Sequence, residues 1–595
     1  MGSVNVNHDE LNGRSEQPAR RKSSKRILGT VLASVLIVGA VIFLAVGVHG
    51  HDKEGDNHVR TNHLGWGNST SDAVKEACSS TLHPELCVSS ILSFGGLSSQ
   101  SGSTEIVNAA VSVGVLAVEK VMAHVRSLYR PDLDFTQRTA LQDCMELFDD
   151  TLDQLNGTLS HLHNISFWSM PKHGAEMQTL LSAAMTNQYT CLEGLQLSKG
   201  NLEQDMNGPL SYVSNLVSNS LAMVGNLSDK ANQALGHADS LSNRRRRLLS
   251  EHFIASDEEG FPSWMSAEDR RVLRAPARMI RIDAVVAGDG SEHHSSIQAA
   301  VNAAPAKSKT RYVIHVKAGV YEENVEIPKS KHNLMFIGDG KGVTVVTGSR
   351  NVQDGYTMYR SATVAVRGTR FIARDMTFQN TAGPAKHQAV ALRVGSDMSA
   401  IYRCSIKGFQ DTLYVHSLRQ FFRDCDIHGT VDFICGNAAV VLQNSNILAR
   451  RPLSQQKITY TAQSRVDPNQ NSGISIHNCK VTADPDFAAV KSSFEAFLGR
   501  PWRQYSRTVI MQSYLGDFIH PAGWYEWTGN FALDTLYYGE YMNDGPGSRT
   551  ANRVKWRGYH VITTSGEASR FTVGQFIQGN SWLPSTGVQY SSGLI

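Results

Sequence analysis

Two glutamines and two aspartates recur in one stretch of this chain at nearly equal intervals. Gln388 and Gln410 lie twenty-two residues apart, and Asp411 and Asp432 twenty-one apart. Gathered together, such residues supply a carboxylate nucleophile, a general acid and amide donors for a developing negative charge. A single Asp in a polar turn is by default a solvated surface residue. A set that recurs in phase with the chain asks for an element that would align it.

That element is legible in the same stretch as an internal repeat. Ala-Ile-Tyr-Arg-Cys404-Ser-Ile406 is echoed by Phe-Arg-Asp-Cys425-Asp-Ile427, by Gln-Asn-Ser445-Asn-Ile447 and, after a longer excursion, by His-Asn-Cys479-Lys-Val481. A period of twenty-odd residues made of short strands and turns signals a parallel β-solenoid. Successive coils sit about 4.8 Å apart, so residues one repeat apart become neighbours. From Ile280 onward, β-rich runs alternate with glycine turns in this manner. Gly338, Gly340 and Gly342 do not fit GxGxxG and no helix follows, so a turn between coils is expected there. No GxSxG elbow occurs, which argues against a serine hydrolase of the α/β type.

GFQDTLY (408–414), GTVDFICGNAAVV (429–441) and LGRPW (498–502) resemble the signature blocks of plant pectin methylesterases, the carbohydrate-esterase pectinesterase family. The resemblance extends over residues 280–590. It implies an all-β catalytic domain folded as a right-handed parallel β-helix, acting on the methyl esters of homogalacturonan and releasing methanol. It further implies Asp432 as nucleophile, Asp411 as proton donor and then base, Gln410 and Gln388 as stabilisers of the oxyanion, and Arg500 as the cation that orients Asp432. Trp502, Phe433 and the position of Met358 would contact the sugar chain. No metal or organic cofactor is implied, since His and Cys show no ligand spacing.

Three positions depart from the family pattern. Cys435 stands where phenylalanine is usual, and Met358 where a threonine usually contacts substrate; a thioether cannot donate threonine's hydrogen bond. Ser445 occupies a cysteine rung, so Cys425 lacks its usual partner and Cys404 becomes the candidate for a Cys404–Cys425 bridge. Two other readings compete. A solenoid glycosidase would also use paired carboxylates, but the two glutamines suit an oxyanion better. A non-enzymatic inhibitor carried on an inert solenoid conflicts with an intact catalytic set.

The remaining half of the chain has a different character. With 595 residues, more than one domain is expected; net charge is +3, and 49 glycines against 17 prolines suit a turn-rich fold. This balance gives no case for nucleic acid. A basic tail (1–26) precedes Ile27–Val48, twenty-two residues without a charge, long enough for a transmembrane signal anchor with the rest of the chain exported. Sequons at Asn68, Asn156, Asn164 and Asn226 agree with export through the secretory pathway. Residues 71–227 carry helical periodicity, as in Val107, Val111, Val118, Val121 and Val125, and predict an antiparallel four-helix bundle. This region resembles the pectin methylesterase inhibitor family, though less closely than the second half resembles the esterases. Its four cysteines permit three connectivities; Cys78–Cys87 and Cys144–Cys191 are favoured, which is also that family's pattern. Between the halves (244–260) lies Arg244-Arg245-Arg246-Arg247-Leu248-Leu249, exposed by mutual repulsion and suited to a protease. In type I pectin methylesterases an Arg-Arg-Leu-Leu motif here is cut as the pro-region is released. The resemblance thus implies a subtilase-type processing protease and inhibitor proteins as partners, a Golgi-anchored precursor, and a mature enzyme in the cell wall.

Overall fold

The computed structural model describes residues 68–242, apart from 166 and 199, and 281–595. The basic tail, the apolar span and the arginine run lie outside the described residues.

The first half is helical. A hairpin of α1 (Asn68–Cys78) and α2 (Pro84–Phe94) leads into four long helices, α3 (Ser103–Ser127), α4 (Phe135–Asn164), α5 (Met170–Gln196) and α6 (Leu202–Ser242). The start of α4 is fixed by a capping box. Asp134 accepts from the Gln137 N–H at 2.8 Å, and the Gln137 side chain accepts from the Asp134 N–H at 2.9 Å. Disulfides Cys78–Cys87 and Cys144–Cys191 tie α1 to α2 and α4 to α5, with Cα separations of 5.7 and 4.7 Å. Helix α3 is long and apolar enough to cross a membrane, yet Val107, Val111, Val118, Val121 and Val125 are buried within the bundle. The helical pattern in the sequence stops near Leu227, whereas α6 runs on to Ser242. Beyond Ala231 the sequence is mostly small and polar and includes Gly236, a residue that argues against helix, so the continuation is not marked in the sequence.

From Ala284 the chain winds into a solenoid whose every paired strand is parallel, stacked as sheets of eleven, eight and seven strands. The seven-stranded sheet is built from β1 (Val325–Ile327), β2 (Val364–Val366), β3 (Leu392–Val394), β4 (Leu413–Val415), β5 (Ile434–Gly436), β6 (Thr461–Gln463) and β7 (Arg500–Pro501), stacked in that order. The register keeps like residues in columns. Phe378, Ile406, Ile427, Ile447, Val481 and Leu515 lie directly above one another and are buried throughout. Each such side chain contributes roughly 1.5–3 kcal/mol of transfer free energy, and the column can form only if the coils keep their spacing.

The cysteine column corrects one expectation. Cys404 and Cys425 are free thiols, as are Cys435 and Cys479. Cys404 and Cys425 precede strands that pair in register and point inward in parallel. Side chains held parallel at one strand spacing keep their Cβ atoms about 4.8 Å apart, beyond the roughly 3.8 Å typical of a disulfide. Each thiol instead donates to a carbonyl, Cys404 to Tyr402 and Cys425 to Ile401. Ser445 fills the next rung, where its hydroxyl accepts the Cys425 N–H at 3.1 Å.

Candidate active site

The seven-stranded sheet brings the four repeated residues together. Leu392, Leu413 and Ile434 are in register on β3, β4 and β5. Asp411 and Asp432 each stand two residues before their strand, so they face each other one coil apart. Gln388 and Gln410 form a parallel β-bridge on the adjoining turn. Both aspartates sit in the left-handed region, with φ of 59° and 51°. Asp commonly tolerates this conformation, and here it turns the chain in the short connection between two strands, 407 to 413 for Asp411 and 429 to 434 for Asp432.

Asp432 is held by two residues, Arg500 and Thr459. Arg500 Nε lies 2.9 Å from Oδ1 and Nη2 lies 2.7 Å from Oδ2, a bidentate pair. The Thr459 hydroxyl donates to Oδ1 at 2.6 Å and accepts the Asp432 N–H at 2.8 Å. Trp527 lies under the guanidinium of Arg500, 4.3 Å from its ring centre. Asp411 differs. Burial, then the neighbouring charge of Asp432, pushes its carboxyl well above the usual carboxylate range, with Arg500 opposing and Glu193 adding to the rise. One carboxylate is paired with a cation while its neighbour is biased toward the neutral acid, the division of labour that paired acid/base sites need.

The two aspartates are 5 % and 4 % exposed because the helical bundle covers this sheet. Tyr359, Tyr414, Cys435 and Ala462 of the solenoid share one apolar cluster with helices α3 to α6, and Met358, Trp502 and Trp527 pack against it. Helix α5 supplies the closest polar contacts. Thr190 meets His416 Nε2 at 3.0 Å, Thr186 accepts from Asn437 at 2.9 Å, and Glu193 pairs with Arg503, the residue after Trp502. Burial beneath the bundle, with Arg393 and Arg367 nearby, lowers His416 to about 3, so it is neutral.

The match with the sequence expectations is uneven. Gln388, Gln410, Asp411, Asp432 and Arg500 converge, Trp502 lies 6.4 Å from the Tyr414 ring, and Cys435 and Met358 face the bundle across the cleft. Phe433 does not line the cleft. It is fully buried in the solenoid interior, with its ring 5.0 Å from that of Tyr460. Phe433 lies between the left-handed Asp432 and the start of β5, where strand alternation does not set its direction, and it packs into the same interior cluster as Ile434. Thr459 and Trp527 were missed. Thr459 belongs to the coil after Asp432, reached only through an irregular excursion, and Trp527 carries no motif. Of the sequons, Asn156 is exposed on α4, whereas Asn226 is half-buried and its amide donates to Ser80.

Comparison with known proteins decides the family. Residues 283–580 match the pectinesterase model, and residues 72–223 match that of plant invertase/pectin methylesterase inhibitors. Pectinesterase/pectinesterase inhibitor 3 of Arabidopsis thaliana is 47 % identical, covering 96 % of this chain and 98 % of its own. The chain belongs to the pectinesterase family. Pectinesterase 2 of Arabidopsis thaliana is 52 % identical over 88 % of this chain and 91 % of its own. The solved pectin methylesterase from carrot is 61 % identical with a TM-score of 0.53; it covers 53 % of this chain and 99 % of its own. The carrot chain therefore corresponds to the solenoid alone. As a pectinesterase, this protein hydrolyses methyl esters of pectin, the plant cell-wall polysaccharide, to carboxylates and methanol, and it carries an inhibitor-like helical region ahead of the catalytic solenoid.

Proposed function

We propose that Asp432 is the nucleophile and Asp411 the acid and base of this esterase. The observation that carries the assignment is the contrast in their surroundings: Asp432 bound bidentately by Arg500, Asp411 buried and pushed toward its neutral form. Asp432 attacks the ester carbonyl, and the oxyanion is met by the amide groups of Gln388 and Gln410. As the tetrahedral intermediate collapses, Asp411 gives its proton to the departing methoxide, leaving an anhydride between Asp432 and the galacturonate. Asp411, now a carboxylate, takes a proton from water; the hydroxide cleaves the anhydride, regenerates Asp432 and releases the carboxyl product. Trp502 and Trp527, with Tyr414, form the apolar wall for the sugars, and Met358 and Cys435 shape the part of it that departs from the family pattern.

The chain is read as a precursor divided into a cytosolic tail (1–26), a signal anchor (27–48), an inhibitor-like pro-region (71–227), a processing linker (244–260) and the catalytic solenoid (280–590). A subtilase-type protease cutting at Arg246-Arg247-Leu248-Leu249 would free the enzyme from a Golgi-anchored form into the wall, and glycans at Asn68, Asn156, Asn164 and Asn226 would mark export. Separate inhibitor proteins could take the place of the bundle on the freed enzyme. The bundle's position over both aspartates supports a pro-region that keeps pectin out until cleavage. The test is methanol release from highly methylated pectin by residues 250–595 beside an Asp432→Ala variant. Release by the parent and none by the variant is expected; equal release by both would remove Asp432 from its role.

A further inference from the structure

The helical bundle carries a cluster of metal-binding side chains that ester hydrolysis does not use. His161 lies near the end of α4, and His173 and Glu176 lie in the first turns of α5. One atom from each, an imidazole nitrogen or a carboxylate oxygen, falls within 4.8 Å of the other two. His161 Nε2 is 3.8 Å from Glu176 Oε1, and the two imidazole rings are 5.7 Å apart and tilted by 37°.

The build of the α4–α5 hairpin aligns these groups. His173 and Glu176 are three residues apart, so they share one face of α5. Gly174, on another side of the helix, lies so close to α6 that a Cβ there would come within 2.5 Å of the Ser228 hydroxyl oxygen. That close approach fixes the rotation of α5 and leaves His173 and Glu176 turned toward α4. His161 stands seventeen residues after Cys144, and His173 eighteen before Cys191. In an antiparallel pair the Cys144–Cys191 bridge therefore brings the two histidines level, about 25 Å farther along. The disulfide ties the hairpin toward one end, and the cluster sits at the other.

The three groups are also available. Among the described residues neither imidazole makes a hydrogen bond. His163 faces α3 instead, where the Asn108 amide lies 3.4 Å from its Nε2. Glu176 faces Arg419 of the solenoid, whose Nη2 is 3.6 Å away. Arg419 is already satisfied by Asp397, at 3.0 and 2.6 Å, so it makes little demand on Glu176. His161 and Glu176 are 29 % and 34 % exposed, so an ion reaches them from solvent.

Two imidazoles and one carboxylate suit a borderline first-row ion such as zinc and not calcium or magnesium, which take oxygen ligands. Tetrahedral zinc holds nitrogen and oxygen ligands at about 2.0–2.2 Å, hence roughly 3.3 Å from one another. Side-chain rotations of about an ångström close the present spacing to that value. We propose that His161, His173 and Glu176 form a zinc site, with water in the fourth position, that staples the end of the α4–α5 hairpin opposite its disulfide. The site stands apart from the aspartate pair and is independent of the esterase reaction. No ligand spacing marks it in the sequence, because one ligand stands on a different helix from the other two.

The test uses the intact chain, without a polyhistidine tag and stripped of metal by a chelator, titrated with zinc chloride alone. Calorimetry should show one zinc ion bound. His173→Gln or Glu176→Gln should each weaken it at least about tenfold, since even an outer partner of a metal ligand is typically worth about 10- to 100-fold. Zinc at about a hundred times its Kd should raise the melting of the helical circular dichroism by about 5–10 °C, and magnesium at the same concentration should not. X-ray absorption should show nitrogen and oxygen neighbours at about 2.0–2.2 Å. No zinc binding by the parent, or binding unchanged in both variants, overturns the proposal. A sulfur neighbour at about 2.3 Å also overturns it, because the ion would then sit on a thiol. Binding without a shift in melting overturns the staple. If His173→Gln loses its helical circular dichroism, Glu176→Gln, which keeps the size of the side chain, decides by the same titration.

Discussion

At the scale of the residue, the chemistry depends on Asp411 keeping its proton beside the arginine-bound Asp432. Asp411 is raised first by burial and then by Asp432, so the folded protein holds this proton to higher pH than the unfolded chain does. Two signs follow. Activity requires the protonated form in the first step, so kcat/KM should fall on the alkaline side as Asp411 ionises; Asp411→Asn should cost about 10²- to 10⁴-fold in kcat and remove that limb from the pH profile. For stability, the folded state binds more protons than the unfolded state, so this group favours folding at low pH and opposes it as pH rises through its raised pKa. Asp411→Asn should therefore melt above the parent at neutral and alkaline pH, with the gap closing toward pH 4; a constant gap would disprove the linkage. Thr459 works through Asp432, donating to its carboxylate and receiving its N–H. Thr459→Val should lower kcat with little change in KM and cost about 1–3 kcal/mol of stability for the unsatisfied N–H, whereas Thr459→Ser should restore kcat. A KM effect with kcat intact would assign Thr459 to packing alone.

At the scale of the element, the site is a by-product of stacking. Asp411 and Asp432 are neighbours because Ile406, Ile427 and Ile447 lock three coils in register beneath them. Ile427→Ala should cost about 2–5 kcal/mol and lower activity beyond the fraction unfolded, since the cavity lies inside the coil that presents Asp432, stacked on the coil that presents Asp411; a stability loss with full specific activity would uncouple register from catalysis. This coupling explains what the sequence made legible. The period of twenty-odd residues reports the register directly, so the convergence of Gln388, Gln410, Asp411 and Asp432 could be read before any coordinates. Phe433 was misplaced because a motif names residues without saying which way each one points. Thr459 escaped because the coil after Asp432 swells beyond the period, and the free Cys404 and Cys425 because side-chain direction, not coil spacing, decides whether two thiols can meet. In the bundle, apolar periodicity from Val107 to Val125 found the buried face of α3 but not the end of α6, where Gly236 interrupts the helical signal.

At the scale of the whole molecule, the bundle and the solenoid are charged against each other, and the contact falls on the catalytic sheet. Arg360 pairs with Asp143 and Glu146 of α4, and Arg367 with Glu146 and Asp150. Arg360 and Arg367 are about one-tenth exposed and Glu146 is 18 % exposed, so these pairs are far from the weak surface kind. Removing one partner of a buried pair leaves an uncompensated charge and costs about 3–5 kcal/mol. The two disulfides lie within the bundle and are independent of this contact. Loosening the contact should therefore open the cleft without unfolding the bundle. In the intact chain, with the arginine run at 244–247 replaced by alanine to prevent cleavage, methanol release should be a small fraction of that from residues 250–595. Glu146→Gln, Asp150→Asn and Glu193→Gln combined should raise it at least tenfold, a shift that about 1.4 kcal/mol of lost docking suffices to produce, while helical circular dichroism stays that of the parent. If the uncleaved parent already works as fast as the separated solenoid, the bundle is not a cover. If the triple variant stays silent with its helices intact, the apolar contacts of Tyr359, Tyr414 and Trp502 hold the cover closed without the charges, and proteolysis is the only way to open it.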